Sequence, residues 1–183
     1  MTIFASANAG LRIFASRRTG SFLIYLLFCL LPAGVMAQFS PGKLAVLVTG
    51  DGTVYTAGTA APVFIKEFDI TGTGQTGTVR TTLPTTAVGG TTAVNRALTQ
   101  NISAASEGFL GLSSNRQYLT LVGYNCSVGT AAVGATSAAT FPTNTRVVGK
   151  IGVNGVADTR TTLFTSNSGN VIRSAATVDG TAY

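Results

Sequence analysis

The stretch that decides the fold is Tyr118-Leu-Thr-Leu-Val-Gly-Tyr124. Its apolar residues fall at odd and even positions alike, so an extended chain here carries apolar side chains on both faces. A strand of this kind is typical of a protein interior, where packed layers cover both sides of the sheet. The sequence therefore predicts a central strand between two layers.

The same β character extends from Lys43 to the end of the chain. Thr, Val, Ile, Phe and Tyr are frequent, and Gly, Asn, Asp and Pro interrupt the apolar runs at short intervals. This composition predicts an all-β, antiparallel domain, and only the stretch 91–105 is ambiguous. The predicted strands are 43–49, 53–57, 63–70, 78–83, 108–112, 117–123, 146–153, 159–164 and 171–178.

Residues 1–37 have a different composition. Arg12, Arg17 and Arg18 precede a ten-residue apolar run, and small residues then lead to Ala37 and Gln38. This order is typical of a secretory signal peptide cleaved between Ala37 and Gln38. The apolar run is shorter than the roughly 20 residues of a membrane span. We therefore expect a secreted or cell-surface protein with no stable membrane span after cleavage.

The remaining segment, 38–183, is long enough for one β-domain with a core of its own. Removing the leader takes away three of the twelve Lys and Arg, which leaves nine against six carboxylates and a net charge of +3. These cations are scattered singly, whereas nucleic-acid surfaces cluster them, so we expect no nucleic-acid partner. Cys126 is the one cysteine left, so an intramolecular disulfide is excluded. Its simplest interpretation is a small buried apolar residue.

The chain offers few catalytic groups. It contains no histidine, which excludes Ser-His-Asp and Cys-His nucleophile activation within it and removes the commonest zinc ligand. No pair of its six carboxylates is marked out for glycosidase chemistry, although Glu107, at the start of a predicted strand, is the first to test. We therefore predict no catalytic residue, no cofactor and no metal site, with the carboxylates at solvated turns and strand edges.

Glycines mark turns. Asp51-Gly52, Asn154-Gly155 and Asp179-Gly180 each have one oxygen ligand beside the glycine, which indicates tight turns and not calcium loops. Residues 72–77 match G-x-G-x-x-G, but the β-branched stretch that follows is no helix, so a dinucleotide site is not predicted.

Two stretches of the chain share an order of landmarks. The first runs through 68–72, 80–83, 101–105 and 114–118, and the second through 151–155, 160–163, 170–176 and 179–183. The order predicts a repeat of four antiparallel strands, with chance similarity in a Thr/Ala/Gly-rich chain as the alternative. In this pattern, 106–119 and 172–183 resemble blade hairpins of the β-propeller domains of large exported bacterial proteins.

The resemblance implies a propeller and a surface or secreted setting, and it carries over no catalytic residue. Propellers close with about four to eight blades, whereas 38–183 supplies two. We therefore expect an incomplete β-propeller, truncated from a longer protein. The alternative is a complete β-sandwich, for which the number of short strands is suitable.

The function expected from these observations is that of an exported, non-enzymatic module, acting as a scaffold or as a surface-binding domain for polysaccharide or protein. One alternative is a fragment of an extracellular enzyme whose active site lies beyond residue 183. The other is a surface subunit whose open sheet edges are completed by a neighbour's strand.

Overall fold

A computed structural model describes residues 39–134, 145–163 and 171–183. All regular secondary structure in these ranges is β, in antiparallel sheets. Correspondingly, the described ranges contain no helix with the length and apolar character of a membrane span. The predicted signal peptide, with Ala37 and Gln38 at its cleavage site, lies outside the described residues.

The strands form three separate sheets. In chain order the strands are β1 (Lys43–Thr49), β2 (Ala60–Ala61), β3 (Val63–Asp69), β4 (Thr78–Thr82), β5 (Gln100–Asn101), β6 (Gly111–Leu112), β7 (Tyr118–Tyr124), β8 (Arg146–Gly152) and β9 (Ala157–Leu163). A three-stranded sheet has the order β1-β3-β4, a two-stranded sheet pairs β2 with β5, and a four-stranded sheet has the order β6-β7-β8-β9.

The prediction that 118–124 lies between two layers is confirmed. Leu121 of β7 belongs to a core cluster with Ile65 of β3 and Ile151 of β8, so this core joins the three-stranded sheet to the four-stranded sheet. The opposite face of β7 carries Val122 and Tyr124, which pack in a second cluster. That second cluster includes Cys126, only 2% exposed, which confirms its predicted burial.

Two predicted strands are wrong. Residues 53–57 form no strand: the Asp51 carboxylate accepts a hydrogen bond from Thr53 N–H, and Val54 is 96% exposed, with no neighbouring strand in the described ranges. Residues 171–178 are also not a strand. They cross the end of the β6–β7 hairpin, where Thr177 O accepts a hydrogen bond from Ser114 N–H and Ala175 O accepts one from Thr120 Oγ1. In 53–57 a local hydrogen bond within the turn takes the place of strand pairing. In 171–178 long-range hydrogen bonds to the β6–β7 hairpin do so.

Of the other predicted strands, 43–49 coincides with β1, and the rest overlap observed strands with shifted ends. Residues 108–112 are strand only at Gly111–Leu112, and the two-residue strands β2 and β5 were not predicted. The turn predicted at Asn154-Gly155 is confirmed: it joins β8 to β9, and Gly155 has a φ of 76° and donates its N–H to Gly152 O.

The G-x-G-x-x-G stretch is followed by β4 and not by a helix. Gly77, at its end, has a φ of 71°, and a β-carbon there would collide with the Phe68 ring. The glycine thus permits a close approach between two strands.

The all-β, antiparallel prediction is confirmed for the described residues. The four-stranded sheet draws its strands from both halves of the proposed repeat, because it runs from Gly111 to Leu163. No closed ring of four-stranded sheets is present in the part of the chain that the structure describes.

Candidate functional site

Glu107, the carboxylate singled out from the sequence, lies half-buried in the loop before β6. Its Oε1 accepts a hydrogen bond from Tyr124 Oη at 2.5 Å, and its Oε2 accepts one from Asn101 N–H at 3.2 Å. The guanidinium carbon of Arg146 lies 5.4 Å from the centre of the Tyr124 ring. Glu107 therefore joins a polar cluster beside the core.

The electrostatics of this cluster suit a structural role. Burial raises the pKa of Glu107, and the hydrogen bonds from Tyr124 and Asn101 and the charge of Arg146 oppose that shift without outweighing it. Burial, together with the Glu107 carboxylate, also raises the pKa of Tyr124, so the phenol stays protonated and donates. Both Glu107 oxygens are engaged by protein groups, which ties the loop before β6 to β7.

Four other carboxylates lie at exposed or half-buried turns and strand ends. Asp69 pairs with Lys43, and Asp158 pairs with Arg160 at 2.7 Å. Asp51 and Asp179 accept backbone hydrogen bonds within their own turns. Among the described residues no group of three or more His, Cys, Asp or Glu side chains could hold a metal ion.

Glu67 is the carboxylate that departs from the expected solvated position. It is 5% exposed on the inner face of β3. Its Oε1 accepts a hydrogen bond from Ser40 N–H at 2.6 Å, and its Oε2 accepts one from Arg80 Nε at 2.5 Å. The pair anchors the residues before β1 to the sheet.

A cleft of about 180 Å³ opens beside this anchor, between β1 and the β7–β8 pair. Its apolar lining includes Phe39, Ala45 and Leu119, and Arg116 lies at its rim. Small-molecule sites usually have about 300–1,000 Å³. The cleft is therefore too small to be the first choice for a ligand site.

Another candidate surface is the outer face of the three-stranded sheet, which is the face turned away from the shared core. The alternation of β1 and β3 places the even-numbered side chains there, and all of these except Lys66 are apolar. Leu44 is 55% exposed and Val79 of β4 is 47% exposed, and a shallow depression lies between β1 and the β3–β4 turn. The outer face consists of Leu44, Val46, Val48, Phe64, Lys66, Phe68 and Val79.

Sequence reasoning did not identify this outer face, although the signal was present. Residues 44–48 of β1 are apolar at odd and even positions alike, the same pattern that predicted two buried faces for β7. In β7 both faces are buried, whereas in β1 the odd positions face the core and Leu44 stays exposed. The pattern predicts two apolar faces, and which face is covered depends on the tertiary structure.

Known proteins offer no guide to this site. Comparison of the chain with protein-family profiles, with curated proteins and with solved structures finds no match.

Proposed function

We propose that residues 38–183 form an exported, non-enzymatic β-module that serves as a scaffold or surface-binding domain, and that it binds a protein through the outer face. The observation that carries the proposal is the set of apolar side chains on that face. Leu44 and Val79 are about half exposed, and the other apolar members of the face are partly buried. Adjoining apolar side chains left in contact with water favour a protein contact over permanent exposure.

The charge on the outer face limits the kind of partner surface that it can bind. Lys66 lies between Phe64 and Phe68 along β3, and among the residues that define the outer face it is the one cation. A partner surface that is apolar with a carboxylate at its centre complements this arrangement. Face-to-face stacking of two copies would bring two Lys66 ammonium groups together, which disfavours the protein itself as the partner here.

The core shared by β3, β7 and β8 supports the two-layer β-sandwich over the incomplete propeller as the architecture of this module. In a sandwich the inner faces of two sheets form one core, as Ile65 and Leu121 do. The propeller implied by the resemblance requires further blades. The intact mass of the native protein, measured after isolation from its producing cells, decides whether residues for them exist.

Export is tested by N-terminal sequencing of the native protein. A product that begins at Gln38 and is recovered outside the cytoplasm supports the proposal. A product that retains residues 1–37, or that stays in the cytoplasm, contradicts it.

Binding is tested by placing a photo-crosslinking amino acid at position 79 of the full chain in its producing cells, with position 153 as the matched control. Val79 lies on the outer face, whereas Val153, at similar exposure, follows β8 in the other sheet. We expect a discrete protein adduct from position 79 alone. Equal adducts from both positions, or none, contradict a protein partner. If the protein is retained on purified cell-surface polysaccharide and Val79→Lys abolishes this retention, the outer face binds a glycan and not a protein.

The enzyme alternative is tested on the same polysaccharide by release of reducing sugar. We expect none from the purified protein. Turnover that disappears in Glu107→Gln would overturn the non-enzymatic proposal.

A further inference from the structure

One edge of the three-stranded sheet has unused backbone groups. β1 pairs with β3 from Lys43 to Thr49 without a bulge, and Gly50 N–H donates to Pro62 O at 2.8 Å. In an antiparallel pair the bonded positions alternate, so the even positions of β1 bond to β3 and the odd positions point outward. Within the described residues, the backbone N–H and C=O groups of Ala45, Leu47 and Thr49 make no hydrogen bond.

The other edge strands in the described ranges are protected or short. The outward backbone of β9 is engaged at Thr159 by Asn95 and Arg96. β4 has five residues and a bulge against β3, and β6 has two residues. Natural sheets protect their edges with such covers, bulges and short strands. β1 has none of these, and residues 44–49 contain neither a charge nor a proline.

The edge of β1 is complementary to itself. If two copies pair antiparallel with Leu47 on the two-fold axis, Ala45 of each copy faces Thr49 of the other, and their outward backbone groups form about six hydrogen bonds. Val46 of each copy then faces Val48 of the other on the outer face. No like charges meet, because Lys43 lies beyond the paired segment, near the turn that holds Asp51 of the other copy.

We infer that a second copy of this chain is the partner of the β1 edge, and that the two copies join their three-stranded sheets into one six-stranded sheet around a two-fold axis at Leu47. This inference rests on the proposed scaffold function and deepens it by naming one partner. A closed two-fold pairing consumes both open edges, so it ends at the dimer.

The first measurement is sedimentation velocity of the exported chain, from low concentration to about 0.1 mM, where micromolar association is visible. We expect a monomer–dimer equilibrium and nothing larger. A monomer throughout this range overturns the inference, and so does open-ended polymerisation.

The edge is tested by Ala45→Pro, with Ala45→Ser as the matched control. Proline removes an outward N–H that has no internal partner among the described residues, whereas serine keeps it. We expect Ala45→Pro to weaken dimerisation at least ten-fold and Ala45→Ser to leave it unchanged. A dimer that persists unchanged in a folded Ala45→Pro protein overturns the inference.

The register is tested by disulfide formation, which does not depend on whether the proline variant folds. Val46→Cys and Val48→Cys are prepared separately and oxidised alone and as a mixture. The two positions form a non-hydrogen-bonded pair with Cα atoms about 4.5 Å apart, close enough for a disulfide. We expect the mixture to cross-link at least ten-fold faster than either variant alone. Equal rates contradict this register.

Failure of this inference is distinguishable from failure of the proposed function. A monomer that still gives a protein adduct from position 79 would contradict the self-pairing and support the proposed binding function. A β1 dimer without any outer-face adduct would support the self-pairing and contradict the proposed protein partner of the outer face.

Discussion

β1 and β9 are both seven-residue strands at the edge of a sheet, yet only in β9 are outward backbone groups hydrogen-bonded, at Thr159. Thr159 N–H donates to Asn95 Oδ1 at 2.9 Å, and Thr159 O accepts a hydrogen bond from Arg96 N–H at 3.4 Å. The Thr159 hydroxyl donates to Arg96 O as well. β1 has no such cover within the described residues. The protein can therefore hydrogen-bond the outward backbone groups of an edge strand, and the unpaired groups of β1 are a local property of that strand.

Closing β9 depends on a buried arginine. Arg96 is 2% exposed, and its guanidinium donates to three carbonyl oxygens of the preceding loop, with distances of 2.6 Å to Val88, 2.5 Å to Gly90 and 3.2 Å to Thr92. These bonds fold residues 88–92 around the side chain and fix the backbone that contacts Thr159. The cover of β9 is thus organised by one charged side chain.

Removing that side chain should have the largest effect. Arg96→Ala leaves three carbonyl oxygens without their donor and releases the cover of β9, so we expect the free energy of unfolding to fall by about 3 kcal/mol. Urea denaturation measures this loss. Arg160→Ala is the control, because Arg160 lies on β9 itself with its side chain exposed. This substitution should leave the free energy of unfolding unchanged. Equal losses in both variants would show that Arg96 does not organise the edge.

The next largest effect concerns the beginning of β1, which is anchored although its edge is open. Glu67 accepts hydrogen bonds from Ser40 N–H and from Arg80. Glu67→Gln keeps the shape of the side chain and removes its charge, so we expect a loss of about 2 kcal/mol at pH 7. Urea denaturation of the two proteins measures the loss. A Glu67→Gln protein as stable as the parent would show that the anchor contributes nothing.

The pH dependence of that loss follows from the pKa of Glu67. Burial by itself raises this pKa, but the hydrogen bonds from Ser40 and Arg80 and the charge of Arg80 outweigh burial and hold it below the ordinary value of 4.5. A lowered folded pKa means that the ionised carboxylate stabilises the protein above 4.5 and that this contribution disappears as the pH falls through the folded pKa. The difference between parent and Glu67→Gln should therefore shrink as the pH falls below 4.5. A difference that does not change with pH would mean that the loss of stability arises from the shape of the side chain and not from its charge.

The strands with strong patterns could be predicted from the sequence, because their side-chain alternation is local. The predicted segment 43–49 agrees with β1 at both ends, and 118–124 lies between two apolar clusters as expected. Segments 53–57 and 171–178 have the composition of strands but no partner strand in the described residues. Pairing depends on distant chain segments, which composition alone does not reveal.

The polar contacts were less predictable than the strands. Arg96 lies in the stretch 91–105, which was ambiguous, and its acceptors are loop carbonyls that carry no sequence signal. Glu67 was expected at a solvated edge because carboxylates usually are, whereas it lies on the inner face of β3 and is hydrogen-bonded to Ser40 and Arg80. Open sheet edges were expected only as one alternative and at no particular strand, since the sequence does not show which strands lie at the edge of a sheet.

A smaller effect is expected where one residue of the β9 cover is shortened. Asn95→Ala removes the acceptor of Thr159 N–H and leaves the arginine contacts in place. We expect the free energy of unfolding to fall by about 1 kcal/mol, as for one lost hydrogen bond. Hydrogen exchange at Thr159 provides a direct readout and should accelerate in Asn95→Ala. Unchanged exchange would mean that the arginine contacts alone close the edge.

The smallest effect is expected at the exposed end of β1, where Lys43 pairs with Asp69 across the β1–β3 register. Both side chains are in contact with water, with 35% and 57% exposure, so salt screens their attraction and holding two long side chains in place costs entropy. We therefore expect Asp69→Asn to change the free energy of unfolding by less than about 0.5 kcal/mol. Urea denaturation at low and high salt should give nearly the same value for the variant. A loss as large as that of Glu67→Gln would mean that this exposed ion pair contributes as much as the buried carboxylate to holding the open strand on its sheet.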